Sequence, residues 1–159
     1  MKIDCTIDGK ALSLSINSNK PLSLILEEDI QNTSISSHCS GRMCGLCVVL
    51  MDGKAVLSCL VPAFEIRGKS IITFEGYAKT RNAKDIEKAY DLTHMRPCSS
   101  CYNSRTLIIE SLLSSNLTSK EDIIREMEML KCPCLEYKDI VKIVQAASEI
   151  RRKRHARRT

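Results

Sequence analysis

Cys39-Ser40-Gly41-Arg42-Met43-Cys44-Gly45-Leu46-Cys47, followed after eleven further residues by Cys59, is the stretch on which the reading of this chain turns. Spacers of four and then two residues, with a distant fourth cysteine, follow the ligand pattern of plant-type [2Fe–2S] loops. Four thiolates must converge on two irons, and the bridging sulfides need backbone N–H donors around them. Short spacers of mostly small residues suit a loop that wraps such a group and turns its amides inward. A structural zinc site also takes four thiolates, but it generally collects them as paired C-x2-C units, which this spacing fits less well.

A second quartet lies downstream: Cys98-x2-Cys101 and, thirty residues on, Cys132-x-Cys134. Each pair borders a predicted helix, so two helix ends are expected to meet at one metal site. On spacing alone zinc stays open here as an alternative to iron. The ninth cysteine, Cys5, alternates with Ile3 and Ile7 and reads as a buried strand thiol. His38 and His94 read as loop residues. The first residues, Met1-Lys-Ile-Asp-Cys-Thr, lack the long apolar core of a signal peptide. A reducing, cytoplasmic location is therefore expected, where clustered cysteines are metal ligands more often than disulfides.

Around the first quartet the chain reads as β-structure. Ile3, Cys5, Ile7 and Leu12, Leu14, Ile16 alternate on either side of an Asp8-Gly9 turn, which predicts a hairpin. Leu22–Ile30 has helical character behind Pro21, and 31–40 reads as a loop. Cys47–Met51 and Ala55–Leu57 flank Asp52-Gly53 as a second hairpin, and Ser70–Phe74 reads as a last strand. Cys59 is expected at the far end of the second hairpin, folding back toward the loop. After Gly76 the period changes to 3.6, with helices expected over 85–92, 105–113, a stretch capped by Thr118-x-x-Glu121, and 139–150. The expected fold is α+β: a small mixed sheet packed on a helix, joined near 77–82 to a helical bundle.

Composition bounds the rest. The chain has 159 residues, 43% of them hydrophobic, enough for a sizeable core, and no apolar run long enough to span a membrane. Lys and Arg number 24 against 19 Asp and Glu, but residues 151–159 hold six basic residues and no acid. Without them the balance is 18 against 19, so a nucleic-acid role is not expected, and the segment reads as a solvated, disordered tail. It lacks the interleaved aromatics of a nucleic-acid surface.

Together the two quartets, Asp52-Gly53-Lys54 before Ser58-Cys59-Leu60, Glu75-Gly76, and Tyr137 after Cys134 resemble the small iron–sulfur subunit of the molybdenum hydroxylases, over about residues 1–147. That resemblance implies a β-grasp, plant-type ferredoxin-like domain over 1–77 holding a [2Fe–2S] cluster on Cys39, Cys44, Cys47 and Cys59. It implies a four-helix domain over 78–150 holding a second [2Fe–2S] cluster on Cys98, Cys101, Cys132 and Cys134. It further implies a hetero-oligomer in which a large subunit carries the molybdenum cofactor, another subunit carries FAD, and this chain passes electrons between them without catalysing alone. The chain departs from the family pattern at Ser40 and Arg42, where Gly is usual, and at Pro97, where Gln is usual. It departs also at Ser99, where Gly is usual, at Tyr102–Arg105 in place of Thr-Pro-Gly-Met, and at Pro133 and Glu136.

No G-x-G-x-x-G, P-loop or H-E-x-x-H is present. Two other classes stay open at this point: a free-standing two-cluster ferredoxin, and a zinc-stabilised module using the basic segment to bind an anionic partner.

Overall fold

A computed structural model of the chain describes residues 1–35 and 44–158. Both Asp-Gly pairs make the expected hairpins. β1 (Lys2–Ile7) pairs antiparallel with β2 (Lys10–Ser15), and β3 (Val48–Met51) pairs antiparallel with β4 (Lys54–Leu57). Both residues of each turn have positive φ: Asp8 49° and Gly9 81°, Asp52 49° and Gly53 84°. That conformation matches the twist of the flanking strands.

β5 (Ser70–Ile72) lies between the hairpins, parallel to β1 and antiparallel to β3, giving the strand order β2-β1-β5-β3-β4. The strand is shorter than expected, because Thr73 turns the chain into α2 (Phe74–Tyr77). Its Oγ1 donates to Asp8 Oδ2 at 2.7 Å and its N–H to Asp8 Oδ1 at 2.8 Å. This corner explains Gly76, since a Cβ there would come within 2.3 Å of the Asp8 carboxylate.

The helical segment after Pro21 runs as α1 (Leu22–Leu24) and continues as a π-turn over Ile25–Asp29. Leu22, Ile25 and Leu26 are fully buried against Ile3, Ile7 and Ile71. Each such side chain contributes about 1.5–3 kcal/mol of burial. Cys5 sits in the same core, and burial pushes its thiol above its ordinary pKa.

Successive side chains on a strand face opposite ways, and β3 uses both faces. Val49 joins the α1 core, whereas Val48 and Leu50 join the helices. These helices are α3 (Arg81–Thr93), α4 (Tyr102–Ser114), α5 (Lys120–Met127) and α6 (Tyr137–Ala156). α4 is buried all round from Ser104 to Leu113, so it is the axis of this half rather than an amphipathic surface helix. Thr80 caps α3 by accepting from Ala83 N at 3.2 Å, and His94 ends it in the left-handed region at φ 56°.

Two expectations require correction. The cap of α5 is Ser119 rather than Thr118; its Oγ accepts from Asp122 N at 3.2 Å, so the capping set lies one residue later than the sequence pattern implied. Residues 151–156, expected as a disordered tail, are the last turns of α6. Arg151 Nη2 pairs with Glu110 at 2.7 Å and Arg154 Nη2 with Asp85 at 2.7 Å, and both carboxylates are buried. Interior counter-charges order the helix end.

Candidate metal centre

The second quartet is assembled by two chain segments meeting at one end of the helices. Cys101 is the residue before α4 and is fully buried, and Cys98 precedes it by one turn. Cys132 and Cys134 lie on the connection between α5 and α6. The sulfurs are 3.5 Å apart for Cys98–Cys101, 3.6 Å for Cys98–Cys132 and 3.3 Å for Cys101–Cys134, and all four lie within 4.8 Å of one another. None of them is in a disulfide.

Their acidities are spread by position. The Cys101 N–H, with the Cys101 and Cys132 sulfurs, draws the Cys98 thiol down to about 6, whereas burial pushes Cys101 up to about 12. The one buried cation beside these sulfurs, Arg105, pairs with no carboxylate among the described residues, and its Nε has no partner there. Four unbridged thiols and a buried cation fit an anionic metal–thiolate group.

For the first quartet, Cys39 lies outside the described residues, as do His38, Ser40 and Arg42. The other three lie on neighbouring segments. Cys47 precedes β3, and Cys59 sits in a 3-10 turn (Ser58–Leu60) directly after β4. Ser58 ties these together, donating to the Cys47 carbonyl through N–H at 3.1 Å and Oγ at 2.7 Å. The hairpin thus returns Cys59 toward Cys47, as the sequence predicts.

The loop entering this quartet is fastened at Asn32. Its Nδ2 donates to Thr73 Oγ1 at 2.9 Å, while Glu75 accepts from the Thr33 N–H at 2.5 Å and from its hydroxyl. These contacts hold the Glu75 carboxyl below the ordinary glutamate range.

Sequence reasoning missed the contact that joins the two cysteine-bearing halves. The Lys131 N–H, one residue before Cys132, donates to the Cys44 carbonyl at 2.9 Å. Gly45 makes the approach possible, with φ 86° and no room for a Cβ, which would meet Met129 O at 2.3 Å and Leu130 Cα at 2.6 Å. Gly45→Ala is expected to cost about 1–2 kcal/mol from the left-handed backbone and about 1–3 kcal/mol from overpacking. Thermal unfolding should show a melting point lowered by several degrees; an unchanged one refutes the contact.

Arg105 was also missed as part of this site, although its position four residues after Cys101 puts both on one helix face. Tyr102, where the family pattern has Thr, turns inward: its ring packs edge-on to Phe74 and Tyr90, and its hydroxyl donates to Glu87.

A sheet-and-helix chain with an all-thiol metal site is, by donor set, a metal–thiolate protein. No protein-family model matches it. It is 34% identical to the xanthine dehydrogenase iron-sulfur-binding subunit of Escherichia coli, over 89% of this chain and 91% of that one. It is 30% identical to the nicotinate dehydrogenase small FeS subunit of Eubacterium barkeri, over 92% and 94% of the two chains. Among solved structures, a chain of quinoline 2-oxidoreductase from Pseudomonas putida superposes with a TM-score of 0.77 at 28% identity, covering 96% of each. The chain belongs to the small iron–sulfur subunits of the molybdenum hydroxylases. It is the iron–sulfur electron-transfer member of an oxidoreductase complex and is not catalytic alone.

Proposed function

We propose that this chain carries two [2Fe–2S] clusters, one held by Cys39, Cys44, Cys47 and Cys59 and the other by Cys98, Cys101, Cys132 and Cys134. Residues 1–77 form a β-grasp, ferredoxin-like domain and 78–150 a helical one. Its partners are a large subunit carrying the molybdenum cofactor and a subunit carrying FAD, in a cytoplasmic hetero-oligomer. Electrons pass from the molybdenum subunit to the helical quartet, then to the sheet quartet, then to the flavin or another acceptor.

The observation that carries this reading is the convergence of four unbridged sulfurs within 4.8 Å of one another at the end of α4. A [2Fe–2S] cluster, when bound, supplies a one-electron store whose potential is set by net charge, hydrogen bonds to sulfur and solvent exposure. The protein contributes those settings. Cys101 and Arg105 exclude water on one side, and the Lys131–Cys44 backbone bond keeps the two cysteine sets adjacent.

A zinc-stabilised module with a basic anion-binding segment is less well supported. Four of the six basic residues from 151 to 158 pair with carboxylates of the chain itself. No described helix is long and apolar enough to cross a membrane.

The test is metal analysis and EPR on the native complex, prepared without oxygen and then reduced. Two distinct [2Fe–2S] signals, about four irons per chain and accompanying molybdenum are expected. A colourless protein containing zinc rejects the reading. A stable lone chain with both signals and no molybdenum supports a free-standing ferredoxin instead.

A further inference from the structure

Arg105 is fully buried, 1% exposed, one helical turn beyond Cys101. Its Nη2 donates to the Cys132 carbonyl at 3.0 Å and faces Cys134 Sγ at 3.9 Å, and its Nη1 lies 3.6 Å from Met127 Sδ. A guanidinium remains charged at any pH in which the protein stays folded. Burying such a cation without a counter-charge is costly. Asp85 and Glu110 neutralise two arginines that are only partly buried, Arg151 and Arg154. Among the described residues no carboxylate does this for Arg105. Sulfur faces it instead, so its counter-charge is the thiolate set and whatever that set holds.

We propose that Arg105 sets the reduction potential of the cluster held by Cys98, Cys101, Cys132 and Cys134, keeping it higher than the same four ligands would give beside a neutral side chain. The inference rests on the reading of these cysteines as [2Fe–2S] ligands. Reduction adds one electron to the site and no proton. The donor is the reduced molybdenum centre of the partner subunit in turnover, or dithionite in a titration. The site therefore becomes more negative by one charge, and a fixed neighbouring cation favours the reduced form over the oxidised one. Water screens this little, because Arg105 is buried and its Nη2 points toward a ligand sulfur.

The test is a dithionite titration of the native complex followed by EPR, comparing wild type with Arg105→Met, Arg105→Gln and Arg105→Lys. At the potential where this site is half reduced in wild type, the two neutral variants should show a reduced-to-oxidised ratio at least about tenfold lower. A tenfold change corresponds to about 59 mV for a one-electron couple. The signal of the other quartet should titrate unchanged. Arg105→Lys keeps the charge but not the planar fork, and should stay within about threefold of wild type.

A neutral variant that keeps its iron and titrates like wild type overturns the proposal and leaves the ligand assignment standing. Loss of the signal from both neutral variants also overturns it, because Arg105 would then be holding the site together rather than tuning it. A wild-type complex without this signal overturns the ligand reading instead.

Discussion

Replacing Cys101 with Ala will remove one of two iron–sulfur signals from the reduced complex and leave the other at wild-type intensity. Cys101 is the most enclosed member of its quartet, at 0% exposure, with Cys98 and Cys134 sulfurs 3.5 and 3.3 Å away. No described side chain stands ready to replace it. The ninth cysteine, Cys5, is buried in the other core. Iron should fall from about four to about two per chain. Cys101→Ser is the informative companion, since an alkoxide is a harder ligand that can retain iron with an altered spectrum. The reciprocal change, Cys44→Ser, should abolish the other signal alone. If both signals survive Cys101→Ala at full intensity, the assignment of the helical quartet is wrong.

The second large effect is expected far from the sulfurs. Glu110 lies inside α4, 4% exposed, and accepts from Tyr77, Asn82, Ser114 and both Nη atoms of Arg151. Burial, then the Glu110 charge, pushes the Tyr77 phenol well above its ordinary pKa, so this hydroxyl stays a donor. Truncation to Ala removes the one acceptor that these groups share. It leaves Arg151, whose side chain is 13% exposed, with Asp85 at 3.5 Å as its remaining carboxylate. Breaking a buried pair from one side costs about 3–5 kcal/mol, and each kcal/mol lowers the melting point of a chain this size by about 2–4 °C. A fall of about 10 °C is therefore expected by differential scanning calorimetry. Glu110→Gln combined with Arg151→Met removes both charges and should recover part of the loss. A melting point within about 2 °C of wild type in Glu110→Ala would show that the network contributes little.

The division between what the sequence disclosed and what it hid follows the range of the forces involved. The two hairpins were legible because Asp-Gly turns and alternating apolar residues act over a few positions. The quartet spacings were legible because a thiolate loop is a local object. Helix ends were less so: Thr118 and Ser119 are both competent caps, and the choice between them depends on where α5 meets α4. The C-terminal basic run read as solvated because its counter-charges are remote. Glu110 is 41 residues from Arg151, and Asp85 is 69 from Arg154. Arg105 stood out only as part of Tyr102–Arg105, a departure from the family pattern. Its meaning depends on Cys134, 29 residues away. Gly45 read as a small spacer, whereas it is the point where Met129 and Leu130 press against the segment between Cys44 and Cys47.

The pairing of the last helix turns with Asp85 and Glu110 changes how the end of the chain should be handled. Shortening the protein before Arg151 does not trim a loose appendage. It uncovers two interior carboxylates on α3 and α4 and withdraws the clasp that closes the helices on the side away from the sulfurs. Such a shortened chain should refold poorly and attract proteases at 82–85, even with every cysteine in place. Met1, by contrast, adds one more rung to the β1–β2 ladder, its amine donating to the Ile16 carbonyl at 2.9 Å and its carbonyl accepting from the Ile16 N–H at 3.0 Å.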